Sequence, residues 1–218
     1  MPFFKKNNRV INFVHIPKTA GTSILNLLET NRWEKITVPD IKTDHPHKLQ
    51  YLPVSLDLQP DFEFCVMRDP EDRLISSVYH SLRALKEIDD IENLSFDASR
   101  YEMDNEKIII FVQTLFDKIF LDSGIDCDDH RWLPQSAFIS ENTKIFDFSN
   151  LDELLKNLIY QDIIDKSSEL KRLNCNNKKV EIKPNWSENP DVWYRFLNFY
   201  GQDYEILQNH FSSLQSKG

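Results

Sequence analysis

This sequence of 218 residues contains no long apolar run, and its cysteines do not have the spacing of metal ligands. Its three cysteines, Cys65, Cys127 and Cys175, are odd in number, widely spaced and without CxxC or Cys/His ligand spacing, which argues against a zinc site or a disulfide framework. The apolar stretch near the amino terminus, residues 10–16, is too short and too polar for a signal peptide or a membrane span. We therefore expect a soluble, cytoplasmic protein with no membrane span.

Positive charge is also scarce, because 26 Lys and Arg residues stand against 35 Asp and Glu residues, for a net charge of -9. Non-specific binding of nucleic acid needs a basic surface that displaces counterions from phosphates, so nucleic acid is not an expected partner. A local basic pocket is still compatible with this charge. With 40% hydrophobic residues and no repeat or linker, the chain is expected to form one globular domain, residues 1–218.

Apolar runs alternate with helical patterns along the chain. Runs typical of buried strands occur at 10–16 and 62–67, and 144–150 is a candidate third strand; helical spacing follows each of them. Further helices are predicted over 107–121 and in the aromatic-rich segment that starts at 190. Because near-continuous apolar strands that alternate with helices are typical of parallel sheets, we predict an α/β fold with a mainly parallel central sheet flanked by helices.

The segment HIPKTAGTS, residues 15–23, joins the first predicted strand to the first predicted helix. In open α/β sheets, ligands bind beyond the carboxyl ends of the strands, where helix N-termini present unpaired amides. Small residues let those amides approach an anion, and Lys18 supplies positive charge. Lys18 precedes Gly21, so the segment is not a Walker A loop, in which the lysine follows the glycine. An ordinary strand-to-helix turn with a solvent-facing lysine is the alternative interpretation.

The segment RDPEDRLISSVYH, residues 68–80, follows the second predicted strand. Asp69 suits a helix cap and Pro70 suits a first helical turn, so a helix is expected to begin here. At 100° per residue, one stripe of this helix is apolar and faces the core. The residues of that stripe are Leu74, Ile75, Val78, Leu82 and Leu85.

Arg73, Ser76 and His80 fall on the opposite side of the same helix. Arg68 ends the preceding strand, and it can converge with Ser76 on one anion. Alternatively, Arg73 and His80 form a solvated polar face, and Arg68 pairs with one of the carboxylates that follow it. Two anion sites at the ends of adjacent parallel strands fit a ligand with two separated phosphates.

These two motifs resemble those of the sulfotransferases that use 3′-phosphoadenosine 5′-phosphosulfate (PAPS). HIPKTAGTS resembles the 5′-phosphosulfate loop and RDPEDRLISSVYH the 3′-phosphate motif, and the nearest kin are the carbohydrate sulfotransferases, including the heparan-sulfate 2-O-sulfotransferase-like group. HRWLPQ (130–135), FDFSNLDEL (146–154) and 185–207 are similar to later blocks. The resemblance implies a P-loop-like three-layer fold and transfer of the sulfuryl group from PAPS to a hydroxyl of a carbohydrate or related acceptor.

The resemblance also implies roles for individual residues. Arg68 and Ser76 would bind the 3′-phosphate, and 185–187 is the nearest match to a late loop that contacts the adenine end. Lys18 would also stabilise charge at the bridging oxygen, and no metal is expected, because Lys18, Arg68 and helix N-termini provide the positive charge. The residues that would bind the 5′-phosphosulfate are Lys18, Thr19, Ala20, Gly21, Thr22 and Ser23.

A general base must accept the proton of the acceptor hydroxyl, and histidine suits this role near neutral pH. Related 2-O-sulfotransferases have a His-x-His pair at a comparable distance before the arginine motif, which implies His47 as the base and His45 as its reserve. Ordinary loop histidines are the alternative interpretation, and Glu29 is a possible substitute. His15 is expected to orient the HIPKTAGTS loop or to satisfy the end of its strand, and His130 either faces the acceptor or packs against Trp132.

Two other function classes share this architecture. A P-loop kinase or NTPase is disfavoured because the sequence lacks GK[ST], and a non-catalytic nucleotide-binding relative would bind the nucleotide without transfer. The variable segments 31–61 and 86–105 are expected to set acceptor specificity. Aromatic residues at helical spacing, Trp132 and Trp193 among them, are expected mostly in the core.

Overall fold

The computed structural model describes residues 3–36, 59–87, 105–121, 131–171, 173 and 184–215. Within these residues, five strands form one sheet in the order β3-β1-β2-β4-β5. Strands β2, β4 and β5 run parallel, whereas β1 pairs antiparallel with both β2 and β3. The strands are β1 (Phe3–Lys6), β2 (Arg9–Val14), β3 (Glu34–Ile36), β4 (Phe62–Met67) and β5 (Lys144–Asp147).

The α/β prediction is confirmed, but the sheet is mixed, so the prediction of a mainly parallel sheet needs correction. Its antiparallel part begins with a hairpin in which Lys6 of β1 pairs with Arg9 of β2. Asn7 in the connecting turn has a φ of 56°, and asparagine tolerates this left-handed conformation better than most residues. The hairpin places β1 beside β2, on one side of the parallel strands, and the short β3 pairs with β1.

Five α-helices lie in the described part of the chain. The predicted helices are confirmed at each of the five positions. Strand β2 ends at Val14, two residues before the end of the predicted strand. No described helix is long and apolar enough to cross a membrane. The helices are α1 (Gly21–Thr30), α2 (Pro70–Glu87), α3 (Asn105–Leu121), α4 (Leu151–Tyr160) and α5 (Pro190–Gln215).

Apolar side chains cover both faces of the sheet, because alternate residues of a strand point to opposite faces. Phe64 and Val66 of β4 pack in one cluster with α1 and α4. Cys65 and Met67 lie in a second cluster, which side chains from the later part of α5 also contact. A third cluster joins α2, α3 and α5. Helices therefore cover the sheet on both sides, as expected for a three-layer arrangement.

The carboxyl ends of the three parallel strands lie along one edge of the sheet. Val14 of β2 pairs with Cys65 of β4, and Met67 of β4 pairs with Asp147 of β5. Neighbouring strands are separated by about 4.8 Å. The loop before α1, Arg68 and the turn after β5 therefore leave the sheet at the same edge, where ligands of α/β sheets bind.

Candidate functional site

The loop between β2 and α1 holds two residues in the left-handed conformation that are not glycine. Lys18 has a φ of 70° and Ala20 a φ of 69°. This conformation costs about 1–2 kcal/mol for a residue with a Cβ atom, and such strain concentrates at functional sites. Left-handed residues within a turn orient successive backbone amides towards a common point, which creates a concave site for anions. We call residues 15–23 the phosphate loop.

The first turn of α1 leaves backbone amides available to a ligand. Ala20 is the N-cap residue, and its carbonyl oxygen accepts hydrogen bonds from the amides of Ser23 and Ile24 at 3.0 and 3.1 Å. The amides of Gly21 and Thr22 precede the first bonds of the helical ladder. No side chain caps this turn and it contains no acidic residue. The positive end of the α1 dipole is therefore not offset by a carboxylate of its own first turn.

Gly21 is required by a close approach to His15. A Cβ atom added at Gly21 would lie 1.6 Å from Nε2 of His15, far inside van der Waals contact. The imidazole of His15 is buried and stacks on Phe13, with 5.4 Å between the ring centroids. His15 thus packs from the end of β2 against the first residue of α1, and its role in orienting the loop stays a prediction.

The side chains of the phosphate loop differ in exposure and in hydrogen bonding. Thr19 is fully buried, and its hydroxyl donates to the carbonyl oxygen of Ile16 at 2.9 Å, which closes the loop on itself. Ser23 is buried as well, and its hydroxyl accepts a hydrogen bond from the amide of Leu173 at 3.1 Å. Lys18 is half-buried and Thr22 is exposed. In this set, Lys18 and Thr22 can present side chains outward, whereas Thr19 stabilises the loop.

Arg68 directly follows β4, and its backbone is held by the side chain of Gln135. The amide of Arg68 donates to Oε1 of Gln135 at 2.9 Å, and Nε2 of Gln135 donates to the carbonyl oxygen of Arg68 at 2.8 Å. The guanidinium carbon lies 4.7 Å from the ring centroid of Phe148, which follows the neighbouring strand β5. These contacts fix the backbone of a half-buried arginine and stack its guanidinium group on an aromatic ring.

Helix α2 begins as the sequence predicts. Oδ1 of Asp69 accepts a hydrogen bond from the amide of Asp72 at 3.0 Å, which caps the helix. The described part of the predicted core stripe is buried, with exposed fractions of 6% or less for Leu74, Ile75 and Val78. Leu82 and Leu85 belong to the helix, but their side chains lie outside the described part of the structure.

Arg73 does not lie on a solvated polar face, so that interpretation was wrong for this residue. Arg73 is 1% exposed, and its guanidinium group donates to the carbonyl oxygens of Arg131 and Leu133. Burial lowers the pKa of Arg73, while the nearby charge of Asp203 acts in the opposite direction. His80 is exposed and Ser76 is half-buried, so the convergence of Ser76 with Arg68 stays a prediction.

Residues 131–136, which we call the PQ loop, are fixed at their backbone by buried side chains of α2 and α5. The carboxylate of Asp203 accepts hydrogen bonds from the amides of Gln135 and Ser136, both at 2.8 Å. The hydroxyl of Tyr200 donates to the carbonyl oxygen of Trp132 at 2.7 Å. Together with the two bonds from Arg73, this leaves the PQ loop little freedom to move. The sequence predicted no role for Gln135, Asp203 or Tyr200.

The turn at 185–188 lies beside the start of α2. Nε1 of Trp186 donates to the carboxylate of Glu71, in the first turn of α2, at 2.9 Å. Trp186 also stacks on Trp193 at 5.4 Å, and most aromatic side chains of α5 continue this packing into the core. The segment expected to contact the adenine end of a nucleotide is therefore held near the strand end that carries Arg68.

The remaining base candidates divide into two groups. His45, His47 and His130 lie outside the described residues. Glu29 is exposed near the carboxyl end of α1, about 12 Å along the helix axis from Gly21, which places it away from the phosphate loop.

Among the described residues, no group of three or more His, Cys, Asp and Glu side chains is arranged to hold a metal ion.

One family model matches the chain. The model is described as "Sulfotransferase family", and it matches residues 1–208, nearly the whole chain. The matched range includes the phosphate loop, Arg68, the PQ loop and Asp203. No curated protein and no solved structure matches this chain. The prediction of one domain stays a prediction, as do the individual site residues.

Proposed function

The chain belongs to the sulfotransferase family, and from this premise we propose that it transfers the sulfuryl group of PAPS to a hydroxyl of a carbohydrate or related acceptor. One observation carries this proposal: the phosphate loop and Arg68 leave neighbouring parallel strands at the same edge of the sheet. A donor that carries phosphate groups at its 5′ and 3′ positions needs two anion sites at a fixed separation. The positions of the phosphate loop and Arg68 at neighbouring strand ends support this proposal.

In the proposed reaction, the acceptor oxygen forms a bond to sulfur while the bond from sulfur to the bridging oxygen of the 5′-phosphate breaks. The bisphosphate leaves with the bonding electron pair, and negative charge builds on its 5′-phosphate. Lys18 and the amides of Gly21 and Thr22 would stabilise this charge, aided by the positive end of the α1 dipole. Thr19, Ala20 and Ser23 would shape the loop around the phosphosulfate.

The 3′-phosphate would contact Arg68, whose guanidinium group can make two parallel charged hydrogen bonds. Ser76 would add a hydroxyl donor from α2. The acceptor proton would pass to His47, with His45 as its reserve, which rests on the resemblance in sequence. Histidine suits this step because its neutral form is a base near neutral pH. The PAPS donor, the glycan acceptor and these residue roles are the parts that experiment must test.

The direct experiment measures transfer of the labelled sulfuryl group from PAPS to a panel of glycan acceptors. We expect Lys18→Ala to lower turnover about 100-fold or more, the usual loss for one preorganised charge-stabilising group. His47→Ala should lower turnover and leave the affinity for the bisphosphate product unchanged. Lys156→Ala, at an exposed position on α4, is the matched control and should keep wild-type turnover.

Three outcomes would contradict the proposal in different ways. Wild-type turnover in Lys18→Ala would remove the role of the phosphate loop in catalysis. Transfer of the γ-phosphoryl group of ATP, without use of PAPS, would indicate a kinase instead. Binding of the bisphosphate without transfer to any acceptor would indicate a non-catalytic relative.

A further inference from the structure

We infer that Gln135 is a positioning residue that sets the affinity for the 3′-phosphate by fixing the backbone of Arg68. This inference rests on the proposed function, since it assigns Gln135 to the same nucleotide site. Arg68 follows the last residue of β4, where regular pairing between β4 and β5 ends at Met67 and Asp147. The side-chain amide of Gln135 takes over at this point, because it donates to Arg68 and accepts from it as a paired strand would.

The geometry of Gln135 is unusually constrained for a loop residue. Its side chain is fully buried, and both of its polar atoms bond to the backbone of Arg68. A buried amide that satisfies two backbone groups cannot shift without leaving them unpaired. The carbonyl oxygen and the amide of Arg68 are thus held on one side, while its guanidinium group stacks on Phe148. The backbone of Arg68 is therefore fixed by contacts within the chain.

The position of Gln135 is in turn set from helix α5. Asp203 is fully buried, and its two carboxylate oxygens accept from the amides of Gln135 and Ser136. Arg73 and Tyr200 donate to the carbonyl oxygens of residues 131–133 in the PQ loop. A contact path therefore runs from α5 through the PQ loop to Arg68. Helix α5 therefore supports the position of Arg68 through the PQ loop.

The test compares two nucleotides that differ only in the 3′-phosphate. Binding of 3′-phosphoadenosine 5′-phosphate and of adenosine 5′-phosphate is measured by calorimetry. For each variant, the Kd of adenosine 5′-phosphate is divided by the Kd of 3′-phosphoadenosine 5′-phosphate. Loss of folded protein lowers the fraction of active sites equally for both ligands, so the ratio does not report on stability. We expect a ratio of about 10 or more in the wild type, and a ratio near 1 in Arg68→Ala.

Gln135→Met keeps the approximate length of the side chain and removes both hydrogen bonds. We expect this variant to lower the ratio about fivefold or more, although its Arg68 is unchanged. Gln135→Glu is the second variant, and it should lower the ratio too, because its carboxylate cannot donate to the carbonyl oxygen of Arg68. Asn31→Ala is the matched control, since Asn31 is a buried amide with several hydrogen bonds at the far end of α1.

The outcomes separate this inference from the proposed function. A wild-type ratio of 10 or more that stays unchanged in both Gln135 variants, while Arg68→Ala abolishes it, would overturn the inference alone. An equal loss of the ratio in Asn31→Ala would overturn it as well, because the effect would then not be specific to Gln135. A wild-type ratio near 1 would overturn the proposed function and this inference together.

Discussion

The contact between Gly21 and His15 yields the sharpest prediction about the architecture of the phosphate loop. Gly21→Ala would place a Cβ atom 1.6 Å from Nε2 and 2.1 Å from Cδ2 of His15, so the ring or the loop must move by more than an ångström. The imidazole has little room, because it is buried against Phe13. Overpacking of this kind costs about 1–3 kcal/mol, whereas alanine gains about 0.4–1 kcal/mol over glycine because it restricts the unfolded chain.

The net effect of Gly21→Ala is thus expected to be a loss of about 1–2 kcal/mol in the free energy of unfolding. Urea denaturation of the wild type, both single variants and the double variant measures this loss and its origin. In a His15→Ala background the clash is gone, so Gly21→Ala should become neutral or slightly stabilising. An identical cost in both backgrounds would contradict this prediction, because it would show that His15 is not what requires glycine at position 21.

Two further predictions concern buried ionisable groups. Asp203→Asn should lower the free energy of unfolding by about 1–3 kcal/mol, because the new side-chain amide group would face one of the two backbone amides that donate to the carboxylate and would leave that buried donor unpaired. No measurable loss in urea denaturation would contradict this. Burial, with a smaller contribution from Glu63, raises the pKa of Cys65. The unfolded thiol ionises first, so this residue should lower stability as the pH rises above about 8.5. Cys65→Ala in a background with Cys127 and Cys175 replaced by serine should flatten that pH dependence, and an unchanged slope would argue against the burial of this thiol.

Local patterns predicted the parallel half of the fold well. The runs that became β2 and β4 are largely apolar because both faces of these strands are covered, and helical spacing is regular in the segments that follow them. Strand β5 is more polar, because it is the last strand of the sheet and only Phe146 is buried in it. The hairpin that adds β1 was not predicted, although Asn7 and Asn8 lie between two strand-like stretches and are a recognisable turn signal. Strand β3 has only three residues, too few for a periodic pattern.

The candidate site was predicted in part, and the missing part has a physical reason. Lys18 and Arg68 belong to local motifs at strand ends, so their placement follows from the strand order alone. Arg73 is charged and lies away from the apolar stripe of its helix, which locally indicates exposure. Its burial depends on carbonyl oxygens of the PQ loop, about 60 residues later in the chain. Gln135 was missed for the same reason, since its contact with Arg68 spans 67 residues.

The conformation of the phosphate loop also differs from what its composition suggests. Glycine is the usual residue at a left-handed position, yet Lys18 and Ala20 occupy such positions here. Gly21 instead provides space for the imidazole of His15 at the end of β2. The loop thus places residues with side chains at its strained positions and uses its glycine for close packing against His15.

The proposed function requires that this edge of the sheet bind a nucleotide phosphorylated at both its 5′ and 3′ positions. Calorimetric titration of the wild-type protein with 3′-phosphoadenosine 5′-phosphate, and separately with ATP and Mg²⁺, tests it most directly. We expect the bisphosphate, without added metal, to bind at least about 10-fold more tightly than ATP with Mg²⁺, and Arg68→Ala to remove this preference. Arg195→Ala is the control, because Arg195 of α5 forms a partly exposed ion pair with Asp117 of α3, and it should keep the preference. Tighter binding of ATP with Mg²⁺, with no measurable affinity for the bisphosphate, would contradict the proposed function.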